Sequence, residues 1–199
     1  MRLVNLGAKA LLVLLLLHAL VFPDLAQYQH KGMGFRIALY PISALLVPLL
    51  WRWRGRGAYP HLIDLCVVLP FLIDTAGNAA NLYDTITWWD DAMHLVTWIP
   101  WVTAVGLTLH RRPELGRLNV FALTIGFGAV THILWEVGEY LTFVADSPTE
   151  SMSAYRDTIG DLVGSLCGSI VGATLVARVL WDLGRSDDQV IRTAQNPRS

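Results

Sequence analysis

Charged residues are scarce in this chain of 199 residues: 16% are Asp, Glu, Lys or Arg, whereas a soluble domain averages about 25%. The net charge of -1 leaves no basic excess for phosphate contacts, which excludes a basic nucleic-acid-binding protein. Two cysteines are too few for a disulfide framework or a thiolate zinc site. By contrast, 54% of the residues are hydrophobic, and the sequence contains runs such as LLVLLLLHALVF. This composition indicates an all-α integral membrane protein.

Six stretches are long and apolar enough to cross a bilayer as helices, which takes about 20 residues each. They lie at about Leu3–Phe22, Phe35–Trp51, Leu62–Ala80, Met93–Leu109, Leu118–Val144 and Asp157–Leu183. Pro41 and Pro48 in the second span predict tilting or kinking there. No repeat or low-complexity tract is present. We therefore expect one six-helix transmembrane domain over residues 1–184, followed by a polar cytoplasmic tail over 185–199.

The distribution of basic residues predicts the orientation of the spans. If both termini are cytoplasmic, 12 of the 15 Lys and Arg residues fall on the cytoplasmic side. The three on the other side are Lys31, Arg36 and Arg156. The positive-inside rule therefore predicts a multi-pass protein of the plasma (inner) membrane with both termini inside.

Ionisable residues inside spans are costly and are candidates for function. On the predicted topology they collect in the outer half of the last four spans. They are Asp74, beside Asn78, on the third span; Asp90, Asp91 and His94 on the fourth; His132, Glu136 and Glu139 on the fifth; and Asp157 and Asp161 on the sixth. Asp84 lies in the loop between the third and fourth spans. Spacings of three, four and seven residues place these groups on single helical faces, which must turn inward because lipid cannot solvate them.

Several carboxylates close together in a low dielectric require either protonation or a neutralising cation. Carboxylates and imidazoles on facing helices are the ligands of metal sites in helical bundles, and the imidazoles favour Zn, Mn or Fe over Ca. The predicted metal ligands are His94, His132, Glu136, Asp161 and Asp157. Glu139 or Asp91 is the candidate general base. Asp74, Asn78, Asp84 and Asp90 are expected to line the polar cavity.

A purely structural role is the alternative for each of these groups. Asp90, Asp91 and Asp157 stand at helix ends, where carboxylates commonly serve as caps and dipole partners. The mid-span residues Asp74 and His132, with the two glutamates of the fifth span, could form a polar network without a ligand.

Small and aromatic residues predict how the spans pack. Gly160, Gly164, Gly168 and Gly172 recur every four residues on the sixth span, a spacing that lets a neighbouring backbone approach closely. We expect that neighbour to be the fifth span. Four tryptophans near the outer end of the fourth span are typical of an aromatic belt; they are Trp88, Trp89, Trp98 and Trp101.

Residues 60–180 resemble the YjdF-like family of uncharacterised bacterial inner-membrane proteins. The resemblance rests on Tyr83-Asp84, Asp90-Asp91-x-x-His94, Trp135-Glu136-x-x-Glu139 and Asp157-x-x-Gly160-Asp161-x-x-Gly164. A more distant similarity is to VanZ-like proteins, which also place an acidic residue and His on one helix, Glu on the next and paired Asp on the last. VanZ-like proteins also have an arginine before the paired Asp. In this chain Arg156 immediately precedes Asp157, so the spacing only approximates that pattern. Neither resemblance implies a known reaction.

Two classes of function fit the residues. One is a metal-dependent membrane hydrolase in which an activated water attacks an ester or phosphoester of a lipid or envelope component. The other is a non-enzymatic protein, either a cation- or proton-coupled transporter or an envelope accessory factor. Motifs of zinc proteases, serine hydrolases and membrane desaturases are absent from the sequence. Membrane lipid is the expected partner, nucleic acid is not, and a homo-oligomer is left open.

The orientation is tested by fusing a reporter that is active only outside the cytoplasm. We expect activity for fusions near Asp84 and Ser151, and none for fusions near Arg54 and Arg112. Activity at Arg112 would invert the topology and move every candidate ligand to the cytoplasmic side.

Overall fold

The computed structural model describes residues 1–29, 31–54, 57–141 and 151–181, and for residues 151–154 it describes the backbone alone. In these ranges the chain forms helices and no β-strand. The α-helices are α1 (Arg2–Val21), α2 (Met33–Arg54), α3 (His61–Ala79), α4 (Leu82–Thr85), α5 (Trp89–His110), α6 (Arg117–Glu139) and α7 (Ser151–Thr174). A 3-10 turn at Ala26–Tyr28 lies between α1 and α2, and α7 continues as a π-helix over Leu175–Val179.

Six of these helices, all except α4, are long and apolar enough to cross a membrane, which confirms the predicted six-span, all-α fold. The bounds of the first four spans agree with the helices to within four residues. α6 ends at Glu139, and the predicted extension over 142–144 lies outside the described residues. α7 begins at Ser151, six residues before the predicted start of the last span. Its predicted end at 182–183 and the tail over 185–199 are also outside the described residues.

α5 is the central helix of the bundle. It packs against α3 on one side and against α6 and α7 on others, whereas α1 and α2 pack against α3 and each other. The core of this arrangement joins Val67 of α3, Ala104 of α5, Val120 of α6 and Val176 at the end of α7. Side chains on different faces of α5 can therefore meet groups from three other long helices.

The glycines of α7 lie directly against the backbone of α5. A methyl group added at Gly168 would collide with the carbonyl oxygen of Leu95, and one at Gly172 would stand 2.7 Å from that of Ile99. The stripe therefore is a helix-packing surface, but the expectation that it contacts the fifth span is wrong. α6 meets α7 on a neighbouring face instead, where Gly128 lies against Ser169. Only glycine lets α7 approach the carbonyls of α5 this closely.

A buried ion pair between Lys9 of α1 and Asp64 of α3 joins these two helices at the end of the bundle where α3 begins. Asp64 is fully buried, and its Oδ2 accepts hydrogen bonds from Asn5 Nδ2 at 2.6 Å, Lys9 Nζ at 2.5 Å and Tyr59 OH at 2.5 Å. Burial, together with the bond to Asp64, raises the pKa of Tyr59, which keeps its hydroxyl protonated as a donor. This cluster belongs to the packing of α1 and lies apart from the candidate site.

The close contact of α7 with α5 is tested by adding one methyl group. Gly168→Ala places a carbon against the Leu95 carbonyl, and we expect it to cost about 1–3 kcal/mol, as overpacking does. The matched control is Gly126→Ala on α6, where nothing lies within 4 Å of the added carbon. Thermal unfolding in detergent measures both variants. Equal stability of the two would mean that α7 does not pack on α5 through its glycines.

Candidate functional site

Four of the five predicted metal ligands converge between α5, α6 and α7. His132 Nε2 lies 3.0 Å from Glu136 Oε1, and His94 Nδ1 lies 4.0 Å from that same oxygen. His94 Nε2 lies 3.5 Å from Asp161 Oδ1. His94, His132 and Asp161 are buried, and the side chain of Glu136 is 11% exposed. We call these four residues the imidazole–carboxylate cluster.

Helix geometry explains how the cluster forms. His132 and Glu136 are one turn apart and therefore share a face of α6. His94 is brought to that face because α5 packs against α6, and Asp161 arrives because α7 approaches α5 so closely. Trp98, one turn beyond His94, stacks on the His94 ring at 6.0 Å and meets the His132 ring edge-on at 4.8 Å. Apolar packing thus fixes both imidazoles.

Several atoms of the cluster lack hydrogen-bond partners among the described residues. They are both ring nitrogens of His132, Glu136 Oε1 and Asp161 Oδ1. His132 Nε2 and Glu136 Oε1 are close, but their angles do not form a hydrogen bond. A buried polar atom without a partner is unfavourable by about 1–3 kcal/mol. The cluster is therefore a place where a bound cation or proton would satisfy several groups at once.

His94 belongs to two sets of potential ligands. One set joins His94, His132 and Glu136, and the other joins Asp90, His94 and Asp161; within each set the ligand atoms lie within 4.8 Å of one another. Asp90 approaches through Oδ1, which lies 3.9 Å from His94 Nε2. The two ring nitrogens of His94 thus face different partners.

Asp74 lies apart from the imidazole–carboxylate cluster, and neighbouring donors form hydrogen bonds to both of its carboxylate oxygens. Its Oδ2 accepts hydrogen bonds from Arg36 Nε at 2.8 Å and Tyr40 OH at 2.6 Å, and its Oδ1 accepts one from Tyr83 OH at 2.8 Å. Asn78 Nδ2 donates to Oδ1 at 3.3 Å. Burial and the nearby Asp74 carboxylate raise the pKa of Tyr83, which therefore remains a donor. Asp74 orients Arg36 and two tyrosines.

A cavity of about 140 Å³ separates the Asp74 group from the imidazole–carboxylate cluster. Its ionisable lining residues are Arg36, Asp74, Asp90, His94 and Glu139. Of the residues expected to line a polar cavity, Asp74 and Asp90 do so. Asn78 is buried beneath Asp74, and Asp84 pairs with Lys31 at 2.5 Å on the surface.

The remaining predicted site residues take different positions. Glu139 lines the cavity, whereas Asp91 and Asp157 are exposed. The Asp91 carboxylate lies beside Gly160 of α7. Two residues of the expected aromatic belt instead face the interior: Trp98 packs on both imidazoles and Trp101 on Phe71. Their indoles donate to Gly128 O and Thr131 Oγ1 at 3.2 Å, so these side chains shape the cavity wall.

The Arg36–Asp74 ion pair is tested by a double-mutant cycle. Asp74→Leu leaves a buried guanidinium without its partner and Arg36→Leu leaves a buried carboxylate without its cation, and we expect each single variant to lose about 3–5 kcal/mol in unfolding free energy. The double variant Arg36→Leu with Asp74→Leu removes both charges and should be less destabilised than the sum of the two single variants. The control is Lys31→Ala, which breaks an exposed pair and should cost at most about 1 kcal/mol. Additive single effects would show that the two side chains do not interact.

Comparison with known proteins places the chain in a family. The family model described as "Predicted membrane protein (DUF2238)" matches residues 8–182, which include every helix that contributes to the cluster and the cavity. Neither the curated proteins nor the solved structures gave a match. The chain is therefore a member of the DUF2238 family of predicted membrane proteins.

Proposed function

We propose that this protein is a metal-dependent hydrolase of the bacterial inner membrane that acts on an ester or phosphoester of a lipid or envelope component. The observation that carries the proposal is the imidazole–carboxylate cluster, whose buried nitrogens and oxygens lack partners among the described residues. The inner-membrane location rests on the charge distribution of the loops and on the resemblance to YjdF-like proteins.

The ligand distances fit a divalent transition metal. Two ligand atoms bound at about 2.0–2.2 Å to a tetrahedral ion stand about 3.3–3.6 Å apart. The corresponding pairs of His132 and His94 with Glu136 are 3.0 and 4.0 Å apart, and all three ligand atoms lie within 4.8 Å of one another, so the side chains would have to adjust to hold one ion. Two imidazoles and one carboxylate leave a fourth position open, as catalytic zinc sites do, and they also suit Mn or Fe.

Asp161 is better suited to positioning His94 than to binding the ion. When His94 faces the ion through Nδ1, its Nε2–H points to Asp161 Oδ1 at 3.5 Å. A carboxylate that accepts the second ring proton fixes the tautomer and orientation of a ligating histidine. Asp90 lies 3.9 Å from the same nitrogen and is the other candidate for this role.

Glu139 is the candidate general base. A bound ion supplies an activated water in such sites, and a neighbouring carboxylate must take the proton that the water loses as it attacks the ester. Glu139 follows Glu136 by three residues on α6 and lines the cavity. Asp91, the other candidate, is exposed.

A cation- or proton-coupled carrier is the second candidate. The observation that favours it is the number of acidic residues in the cavity wall, which are Asp74, Asp90 and Glu139. Several proton- or cation-binding groups in one cavity suit transport as well as catalysis. A carrier would move cations into proteoliposomes without hydrolysing a lipid ester.

The metal site is tested by elemental analysis of the purified protein. We expect stoichiometric transition metal in the wild type and loss of it in His94→Ala and Glu136→Ala, because each removes a ligand. Asp161→Asn should retain the site but weaken metal affinity about 10–100-fold, as expected for a residue that positions a ligand. His61→Ala, at the other end of the bundle, is the control and should bind metal normally. Absence of metal in the folded wild type would contradict the proposal.

The reaction is tested with a short-chain fluorogenic lipid ester or phosphodiester. Glu139→Gln should keep its metal but lose turnover, because the amide cannot accept the proton. Turnover that persists in Glu139→Gln would remove it as the base. Metal binding without any hydrolysis, together with cation uptake, would favour the carrier.

A further inference from the structure

The cavity beside the cluster has a strongly aromatic wall. Six of its fifteen lining residues are aromatic: Tyr40, Phe71, Tyr83, Trp98, Trp101 and Trp135. They come from α2, α3, α4, α5 and α6 and surround a volume that holds a group of several heavy atoms, although not a whole lipid. Aromatic faces attract cations because the ring quadrupole is negative above and below the plane.

Acidic residues outnumber basic residues in the cavity wall. Arg36 is the one Lys or Arg among the lining residues, and its guanidinium is bound to Asp74 and to the Lys31 carbonyl. Asp90 and Glu139 also line the cavity, and in the described part of the chain neither forms an ion pair with a Lys or Arg. Two acidic side chains therefore line the cavity without an ion pair to Lys or Arg among the described residues.

We propose that the cavity binds the ammonium group of a membrane lipid, held by Asp90 and Glu139 among the aromatic side chains. A carboxylate supplies the opposite charge and the aromatic faces replace water around the cation, the combination by which proteins recognise ammonium ligands. An anionic headgroup would instead meet uncompensated carboxylates.

The cavity lies between helices whose outer surfaces are apolar. Two of its walls are α2, which packs on α1 and α3, and α6, which packs on α5 and α7. Trp135 of α6 closes the space between these walls by packing against the group that contains Tyr40 of α2. Exposed apolar residues such as Leu39 on α2 and Leu134 on α6 cover the outer surfaces of the same helices. In this proposal the headgroup of the lipid occupies the cavity while its chains remain in the membrane, against the apolar outer surfaces of α2 and α6.

This inference rests on the proposed function in one respect, since His94 belongs both to the metal site and to the cavity wall. With the ammonium group between Asp90 and Glu139, the ester or phosphoester of the same headgroup would lie toward His94. The substrate class narrows accordingly to amino-lipids, as opposed to acidic or neutral lipids.

The experiment compares equilibrium binding of dihexanoyl-phosphatidylethanolamine and dihexanoyl-phosphatidylglycerol to the purified full-length protein in detergent. We expect the ethanolamine lipid to bind at least about tenfold more tightly, which corresponds to about 1.4 kcal/mol. Asp90→Asn with Glu139→Gln keeps the side-chain shapes, relieves like-charge repulsion and should abolish the preference. Each single variant should reduce it. Glu114→Gln, at an exposed glutamate between α5 and α6, is the matched control and should retain it.

Equal affinity for the two lipids, or a preference that survives in the folded double variant, would overturn the inference. Competition by free phosphoethanolamine at the same concentration as the lipid would overturn the lipid assignment and indicate a soluble amine. Metal content measured on the same samples separates the two proposals. Metal without lipid preference contradicts the ammonium site alone, whereas lipid preference in a metal-free protein contradicts the hydrolase alone.

Discussion

Hydrocarbon does not solvate ionisable side chains, and the arrangement of the buried acids in this bundle follows from that constraint. Asp64 accepts hydrogen bonds on its Oδ2 from Lys9 and two neutral donors, although its Oδ1 has no partner among the described residues. Asp74 accepts hydrogen bonds from Arg36 and two tyrosines. Each of these carboxylates has a cation of its own. The imidazole–carboxylate cluster turns inward as well, but its members face mainly each other. That difference is the physical reason to place a ligand at the cluster and not at Asp64 or Asp74.

The contact between α5 and α7 brings the cluster together. Asp161 can approach His94 because glycines on the same face of α7 lie against α5 carbonyls. The small side chain of Ser165 adds to this approach, with its Oγ 3.3 Å from the His94 carbonyl oxygen. α6 then supplies the second imidazole and the carboxylate from one helical face. The same packing places Trp98 against the imidazoles of His94 and His132, so an apolar packing contact also positions the polar site.

Much of this arrangement can be predicted from sequence because it depends on periodicity. Hydrophobic length gives the six helices, and spacings of three and four residues place His132 with Glu136 on one face. Which helix packs against a given helical face depends on tertiary packing. The prediction from sequence therefore named the wrong neighbour for the glycine stripe of α7. For the same reason Trp98 and Trp101 resembled interfacial residues although they face the interior. Arg36 and Asp74 form an ion pair although they are 38 positions apart in the sequence, and the spacing of residues within a helix does not predict such a pair.

X-ray absorption spectroscopy of the purified protein tests whether an ion joins His94, His132 and Glu136, as we propose. At the edge of the bound metal we expect two imidazole nitrogens and a carboxylate oxygen at about 2.0–2.2 Å, and loss of one imidazole signal in His132→Ala. A spectrum without imidazole scattering, or one unchanged by His132→Ala, would contradict the proposal.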